Sequence, residues 1–540
     1  MNVTEAIAEA LDAEGVEYLF GFPSHPLLDT GAAEDVGIRT IVVRQERTGV
    51  HMADGIARIT SGDEIVTFVA QHGPGTENSV GGIAQAYAES APLVALPAGY
   101  SRAKTNTDPK FSSLITYQPV TKTAEQLTDP DAVGETIRRA FNGARNGRPR
   151  PTLVELPIDV HDAEVSEFDY EPSESTRAGA PDPHVVEQVA DALLDADEPM
   201  LYAGQGVHYA KAWEPLKDLA ELLEAPVATS LNGKSAFPED HPLSLGAASK
   251  SEPRELNHFL HESDVLFGAG CSFTKTSYGM SVPNSGKDKT VIHNTVDAGD
   301  VDKNVETDHA LIGDAKLTLE AVYEEVHDRL DGEPRGRRDE VVAEIEEIHE
   351  AWMADWEDKL TSDETPINPY RVVRELDEYF DKDEIVATAD AGNARDMMAP
   401  FFEVTEPLSY LGWGKTTQLG YGLGLMMGAS LVEPDKTCIH VMGDGAIGMT
   451  GLDFETAARE DIPVLGVVFN NFEMASYDTP FSGHYADMVD ALGGKGVRVE
   501  DPDNITDGLD ACMEAIEDDT PALLEVLTSK ETELSRPDLE

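Results

Sequence analysis

A Gly-Asp-Gly turn centred on Asp444 constrains the fold of this chain more than any other feature. It ends an apolar, β-branched run, KTCIHVM at 436–442, and a second such run, VLGVVF at 464–469, comes directly before Asn470 and Asn471. Both runs predict buried parallel strands. The intervening TGLDFETAARE at 450–460 predicts a crossover helix. Three residues of this helix share one face by spacing: Leu452, Thr456 and Ala457.

The spacing of Asp444 and Asn471 predicts that they meet at one sheet edge. The twenty-seven positions between them accommodate one turn, one helix and one strand. Mg²⁺ takes oxygen ligands and keeps phosphate oxygens among them, so one carboxylate, one amide and one carbonyl are sufficient from the protein. The backbone carbonyl of Glu473 is the candidate for the third of these ligands. Gly443 and Gly445 would let phosphates approach the backbone, because neither carries a Cβ atom.

This pattern resembles the thiamin diphosphate motif, Gly-Asp-Gly followed about thirty residues later by Asn-Asn. The motif belongs to a superfamily of decarboxylases and carboligases that includes acetolactate synthase and benzoylformate decarboxylase. The resemblance implies an α/β fold with three doubly wound parallel-sheet domains. It also implies that Asp444, Asn471 and the Glu473 carbonyl bind the Mg²⁺ that anchors the cofactor's diphosphate, with Gly443, Gly445 and Ala446 beside it.

The segment RTIVVRQERTGVHMADGIAR at 39–58 offers a catalytic carboxylate. Residues 40–44 are strand-like and 48–58 have helical spacing, which puts Glu46 at a strand-to-helix corner. A helix-start glutamate can also be purely structural. The segment resembles the family's Glu-Gln-Gly-Ala-x-His-Met-Ala-Asp-Gly-x-Ala-Arg sequence, whose glutamate hydrogen-bonds the cofactor's pyrimidine ring. The resemblance therefore implies that Glu46 activates the cofactor.

A second segment, VAQHGPGTENSVGGIAQAY at 69–87, resembles the family's Gly-Pro-Gly-x-x-Asn loop and its following helix, with Asn78 as the matching asparagine. The resemblance implies that Asn78 contributes to cofactor binding. Some relatives place a histidine and others a small residue at the position of Gln71. Gln71 or the adjacent His72 could face substrate. Alternatively, Gln71 could satisfy backbone groups.

The turn at 21–25, Gly-Phe-Pro-Ser-His, resembles the family's Tyr-Pro-Gly-Gly turn, but His25 replaces a glycine or small polar residue. In relatives that position lies beside the substrate. A histidine there could act as a general acid or bind a carboxylate. The alternative is a histidine in a surface turn.

The segment TTQLGYGLGLMMGAS at 416–430 resembles the one that places a bulky apolar residue between the cofactor's rings. The resemblance gives that position to Leu419. It also implies that the carbonyl of Thr417 and the amide of Leu419 contact the aminopyrimidine. Asn393 and Ala394 would approach the diphosphate. Without the family, Leu419 would be a core residue and Asn393 a turn residue.

At 540 residues the chain is too long for one core, so several domains are expected. Three fit best: a pyrimidine-binding domain at 1–165, a central domain at 184–330 and a diphosphate-binding domain at 366–535. A linker rich in Pro, Ser and Asp separates the first two, and an acidic helical segment precedes the third. The family's central domain sometimes carries FAD. CSFTKT at 271–276 lacks the Arg-Phe-Asp-Asp-Arg-like pattern, so FAD is not expected.

The chain carries 102 Asp and Glu residues against 40 Lys and Arg, a formal net charge of −62. Such a surface repels nucleic acid and anionic membranes, so neither is an expected partner. Distributed acidity with 41% hydrophobic residues indicates a halophilic protein whose self-repulsion is screened by salt. The absence of a recognisable signal peptide or membrane span predicts a cytoplasmic location. In the family, the two cofactor-binding halves meet across a subunit boundary, which implies a homodimer or tetramer.

Acetolactate synthase-like carboligation of a 2-oxo acid is the expected activity. Phe111 and Lys122 lie in a segment similar to that enzyme's Phe-Gln and Thr-Lys stretch. Three details differ: Ser112 stands where a glutamine is expected, Ile158 replaces a lysine, and FEMASYDTP at 472–480 lacks the Gln-Trp-Glu pattern.

Two alternatives remain open from the sequence. A benzoylformate-type decarboxylase is favoured by the polar His25 and Gln71. A cofactor-binding homologue without catalysis would need no carboxylate at the pyrimidine, and Glu46 argues against it.

Overall fold

The computed structural model describes residues 1–105, 107–173, 179–275, 289–474 and 479–536. Three parallel sheets with flanking helices organise this part of the chain, which confirms the predicted fold class. Parts of three segments discussed above lie outside the described residues: the linker at 174–178, Thr276 of CSFTKT, and residues 475–478 of FEMASYDTP. No helix of the described ranges is long and apolar enough to cross a bilayer.

The first sheet has the strand order β2-β1-β3-β4-β6-β5, and all its neighbouring strands are parallel. Its strands are β1 Tyr18–Gly21, β2 Arg39–Val42, β3 Val66–Ala70, β4 Leu93–Gly99, β5 Ala124–Gln126 and β6 Thr152–Pro157. Its helices are α1 Val3–Ala13, α2 Pro26–Asp29, α3 Ala32–Asp35, α4 Glu46–Ile59, α5 Pro74–Ala88, α6 Ser113–Tyr117 and α7 Val133–Arg145. A capping box between Asn2 and Glu5 starts α1.

The central sheet has the order β12-β11-β10-β7-β8-β9 and is also parallel. Its strands are β7 Pro199–Ala203, β8 Val227–Ser230, β9 Ser244–Ala248, β10 Val265–Ala269, β11 Thr290–Thr295 and β12 His309–Ile312. The helices around it are α8 Pro183–Asp195, α9 Gln205–Ala210, α10 Trp213–Leu223, α11 Arg254–Glu262 and α12 Ala315–Arg329. The long helix α13, Arg338–Leu360, leads to the third sheet.

The third sheet has the order β13-β14-β15-β19-β18, all parallel. Its strands are β13 Ile385–Ala389, β14 Thr437–Gly443, β15 Leu465–Asn470, β18 Lys495–Val499 and β19 Ala522–Leu527. A separate antiparallel pair, β16 Glu473–Met474 and β17 Thr479–Pro480, follows β15. The helices are α14 Pro369–Tyr379, α15 Asn393–Phe401, α16 Tyr421–Val432, α17 Asp444–Thr450, α18 Phe454–Arg459, α19 Tyr485–Ala491 and α20 Ile505–Ile516.

The predicted crossover helix at 450–460 differs from the structure. Asp444 itself begins a first helix, α17, a 3₁₀ turn occupies 451–453, and α18 follows. Thr456 and Ala457 lie together on α18 and are buried, but Leu452 is 58% exposed, because it lies in the turn between the two helices. The prediction for Leu452 was therefore wrong.

The first and third sheets share one hydrophobic core within the chain. Helix α4 packs along α16 with close backbone contact. A Cβ atom on Gly55 would lie 2.1 Å from the carbonyl oxygen of Leu425, and one on Gly428 would lie 2.1 Å from that of Met52. Glycine at these positions is what permits the two helices to approach so closely. The elements that carry Glu46 and follow Leu419 are thus in contact within a single chain.

Candidate functional site

Asp444 and Asn471 lie side by side at the carboxyl edge of the third sheet. Strands β14 and β15 are neighbours, with Gly443 opposite Phe469, so the residues that follow them emerge together. The backbone N–H of Glu473 donates to Oδ2 of Asp444 at 3.1 Å and to Oδ1 of Asn471 at 3.0 Å. The structure therefore brings together the three residues that the sequence pattern selected.

The turn after β15 is held by a buried side chain. Asn470 donates to Oε1 of Glu525 at 2.6 Å and accepts from the N–H of Phe472 at 3.1 Å. Phe472 has a φ of 57°, a left-handed conformation that costs free energy for a residue with a side chain. The Glu473 carboxylate points to Lys530, with 3.1 Å between Oε2 and Nζ. This side chain is thus engaged away from Asp444.

The electrostatics of this edge suit a cation. Burial raises the pKa of Asp444 to about 6, although backbone N–H groups of Gly445, Glu473 and Phe472 act in the opposite direction. A cation would stabilise the charge that burial disfavours. The donor set, one carboxylate and one amide oxygen directed to the same point, matches the ligand preference of Mg²⁺.

The three small residues of the motif differ in their surroundings. A Cβ atom on Gly443 would meet no atom within 4 Å, so open space faces the backbone there. A Cβ atom on Gly445 would lie 2.9 Å from the sulfur of Met474. Ala446 is buried in the core. Gly443 thus offers the open cradle that a phosphate group needs.

Asn393 and Ala394 begin α15, directly after β13 and on the same edge as Asp444. The Asn393 amide donates to the carbonyl of Glu531 at 2.8 Å, and Ala394 is buried. Gly392 has a φ of 108°, a conformation that favours glycine. The C-terminal segment therefore closes one side of this edge.

Asp390 is a buried residue beside the candidate site that was not predicted from the sequence. Its buried carboxylate accepts from the N–H groups of Gly420 at 3.1 Å and Gly422 at 3.3 Å, and it lies 3.1 Å from Nε2 of His440. It thereby fixes the start of α16 beside Leu419, which is half-buried against the shared core. The signal was available, because Asp390 follows the run IVATA of β13 as Asp444 follows β14.

Glu46 is the first residue of α4 and is 8% exposed. The amide of Asn78 donates to its Oε2 at 3.1 Å. Tyr117 lies nearby. Burial raises the pKa of the Tyr117 phenol, with a smaller contribution from the charge of Glu46. Asn78, which the sequence assigned to the cofactor, lies in this structure against Glu46.

The other candidates in the first domain lie in different environments. His25 is fully buried, and its Nδ1 accepts from the N–H of Leu27 at the start of α2. Burial lowers the pKa of His25 to about 3, so its ring is neutral. The surface-turn alternative was therefore wrong. His72 is half-buried and packs edge-on against Tyr100, and the half-buried Gln71 side chain has no hydrogen bond to any described residue.

A cavity of about 240 Å³ opens elsewhere, at the carboxyl edge of the central sheet. Gly204, Gly206 and Gly270 line it, together with Arg148 and Lys415. Burial lowers the pKa of Lys415 to about 8. Neither Asp444 nor Glu46 lines this cavity, so it is separate from the two candidate cofactor-binding edges.

Three family models match the chain in order. They are described as the N-terminal TPP binding domain, the central domain and the C-terminal TPP binding domain of thiamine pyrophosphate enzymes. The matched residues are 1–126, 186–322 and 390–526, respectively. Thiamine pyrophosphate is another name for thiamin diphosphate.

Curated relatives align with nearly the whole chain. A probable acetolactate synthase large subunit of Methanocaldococcus jannaschii is 32% identical, over 98% of this chain and 92% of the relative. One of Methanococcus aeolicus is 30% identical, over 99% and 93%. The acetolactate synthase isozyme 3 large subunit of Escherichia coli is 28% identical, over 97% and 94%. The chain thus belongs to the thiamine pyrophosphate enzyme family, as a carboligase or decarboxylase similar to acetolactate synthase large subunits.

Proposed function

We propose that this protein is a thiamin diphosphate- and Mg²⁺-dependent enzyme that decarboxylates a 2-oxo acid and joins the remaining fragment to a second carbonyl compound, as acetolactate synthase does. The observation that carries the proposal is the convergence of Asp444 and Asn471 on one backbone N–H, at 3.1 and 3.0 Å. Similarity to acetolactate synthase large subunits supports carboligation over simple decarboxylation.

In this proposal, residues 366–535 bind the diphosphate and residues 1–165 the pyrimidine, with 184–330 as the central domain. Asp444, Asn471 and the Glu473 carbonyl hold Mg²⁺. Open space at Gly443 admits the phosphates, and Asn393 and Ala394 border them. Three oxygens from the protein leave the remaining octahedral positions for phosphate and water.

Glu46 is proposed as the residue that shares a proton with the pyrimidine ring. Thiamin diphosphate supplies a carbon nucleophile and an electron sink for decarboxylation when bound. The protein would hold the Glu46 carboxyl group at a nitrogen of the pyrimidine ring. Asn78 orients that carboxyl group, because its amide donates to Oε2 at 3.1 Å. The Thr417 carbonyl and Leu419 amide would contact the same ring, with Leu419 between the two rings.

Roles toward the substrate are proposed for three residues that follow strands of the first sheet, namely Gln71, His72 and His25. Gln71 and His72 are half-buried beside the Gly-Pro-Gly turn and could bind the 2-oxo acid. The neutral, buried His25 is better suited to a positioning role, because its Nδ1 already caps α2. We further propose a cytoplasmic, halophilic homo-oligomer, dimer or tetramer, without FAD.

Product analysis with pyruvate tests the reaction. In molar KCl with thiamin diphosphate and Mg²⁺, two pyruvate molecules should yield one acetolactate and one CO₂. Acetaldehyde with no acetolactate would contradict carboligation of pyruvate. The Glu46→Gln protein, assayed in parallel, should release no CO₂ above background.

A further inference from the structure

The carboxylate of Glu89 lies where three parts of the chain meet. Glu89 caps the C-terminus of α5, and its side chain is fully buried. Its Oε1 accepts three consecutive backbone N–H groups of the third domain, from Gly414 at 3.1 Å, Lys415 at 2.9 Å and Thr416 at 3.4 Å. Its Oε2 accepts from the amide of Asn232 in the central domain at 2.6 Å.

One turn earlier on α5, Gln85 holds the next part of the same segment. Its Oε1 accepts from Oγ1 of Thr416 at 2.6 Å and from the N–H of Gln418 at 3.2 Å. Its Nε2 donates to Glu89 at 3.0 Å. His51 on α4 lies 2.9 Å from the side-chain oxygen of Gln418.

These contacts stabilise a segment that has no regular secondary structure of its own. Residues 414–418 belong to neither a helix nor a strand, so their N–H groups have no ladder partners. A buried carboxylate that accepts several N–H groups is a strong anchor, because the bonds are charge-assisted. The side chains of Glu89 and Gln85 therefore hold the segment that leads into Thr417, and Asp390 holds its far end at Gly420.

Helix α5 contacts two parts of the chain that the proposed function assigns to the coenzyme. Asn78 on α5 donates to Glu46, whereas Gln85 and Glu89 hold the Thr417–Leu419 segment. We propose that Glu89, supported by Gln85, is a positioning residue that sets the Thr417 carbonyl and the Leu419 amide for recognition of the aminopyrimidine. In the proposed homo-oligomer, the Glu46 carboxylate at the same ring comes from the other subunit. This inference rests on the proposed function, because it concerns the same coenzyme.

The test separates the two ends of the coenzyme. Glu89 contacts the segment proposed for the pyrimidine and makes no described contact with Asp444 or Asn471 at the diphosphate end. Dissociation constants are measured by calorimetry on the full chain in molar KCl with Mg²⁺, for thiamin diphosphate and, separately, for inorganic pyrophosphate. The variants are Glu89→Ala, Glu89→Gln and, as a matched control, Glu9→Ala at an exposed position of α1.

Glu89→Ala should bind thiamin diphosphate at least tenfold more weakly and pyrophosphate within twofold of wild type. Glu89→Gln keeps one acceptor oxygen, so it should retain most of the wild-type affinity for thiamin diphosphate. Glu9→Ala should bind both ligands with wild-type affinity. Unchanged thiamin diphosphate affinity, or a parallel loss for both ligands, would overturn the inference. If Glu89→Ala does not fold, Gln85→Ala must show the same split between the ligands. Wild-type protein that binds pyrophosphate but not thiamin diphosphate would instead refute the proposed function.

Discussion

At the scale of single residues, the buried charge of Asp444 distinguishes this edge of the third sheet. Burial raises its pKa to about 6, so the carboxylate is held in an environment that disfavours its charge. Asn471 adds a neutral oxygen at the same point. In the proposed site, a bound cation would offset the cost of keeping this carboxylate in a partly desolvated position.

Asp444→Asn should weaken Mg²⁺ binding by about 100-fold or more, since loss of even an outer-shell partner costs about 10–100-fold. The melting temperature without metal should not fall, because the substitution removes a buried charge and keeps the side-chain shape. Titration of Mg²⁺ in the presence of thiamin diphosphate measures this. Asp487→Asn, at an exposed position of α19, serves as the control. Equal Mg²⁺ affinities in wild-type and Asp444→Asn proteins would contradict the metal assignment.

Single-residue environments were only partly predictable from the sequence. The positions of Asp444, Asn471 and Glu46 follow from strands and turns within about thirty residues of each. The burial of His25 depends on His161, whose ring centroid lies 5.9 Å away but 136 positions along the chain. The Glu89 anchor likewise joins segments more than 300 positions apart. No local pattern specifies such contacts.

At the scale of elements, the contact of α4 with α16 joins the two candidate cofactor-binding halves. It depends on glycines where the helices cross, and the buried Asp54–Arg58 pair lies beside it, with 2.8 Å between Oδ1 and Nε. Arg58 also donates to the carbonyl of Gly412 at 2.7 Å. The crossing is therefore fixed by close packing and by buried polar bonds.

Gly428→Ala should lower the free energy of unfolding by about 1–3 kcal/mol, because the new methyl group overlaps the Met52 carbonyl and the helices must separate. Urea unfolding followed by circular dichroism measures the loss. Gly134→Ala on α7 is the matched control. Its Cβ would meet only ordinary contacts, the nearest at 3.6 Å, so it should be neutral or slightly stabilising. Equal urea midpoints for both variants would show that the crossing tolerates the methyl group.

Element boundaries show the same limit of sequence reasoning. Apolar runs located β14 and β15 to within one residue, since buried parallel strands leave a strong pattern. The helix between them was less predictable. A 3₁₀ turn at 451–453 interrupts it. Leu452 has the spacing expected for a continuous helical face, but its side chain is exposed because it lies in that turn.

At the scale of the whole molecule, several buried histidines make stability depend on pH. Burial lowers the pKa values of His25 and His51 to about 3, against about 6.5 in an unfolded chain. Only the unfolded chain takes up these protons between the two values. The stability that these two histidines contribute in their neutral form is therefore fully present above about pH 6.5 and is lost as the pH falls toward 3.

At pH 5, each of these histidines should remove about 2 kcal/mol of stability relative to pH 7.5. Free energies of unfolding at both pH values, in molar KCl, measure the difference. His51→Gln should lose its share of the pH dependence, whereas His184→Gln, at an exposed position of α8, should keep the wild-type difference. An identical pH dependence in wild-type and His51→Gln proteins would refute the buried neutral state of His51.

The central claim of the proposed function is that Glu46 activates the bound coenzyme. The most direct measurement is exchange of the C2 proton of bound thiamin diphosphate with solvent deuterium, followed by NMR after rapid quenching. Glu46→Gln protein should still bind the coenzyme with Mg²⁺, yet exchange this proton about 100-fold or more slowly than wild type. If both proteins bind it and exchange at the same rate, Glu46 does not activate the coenzyme and the proposed site is wrong.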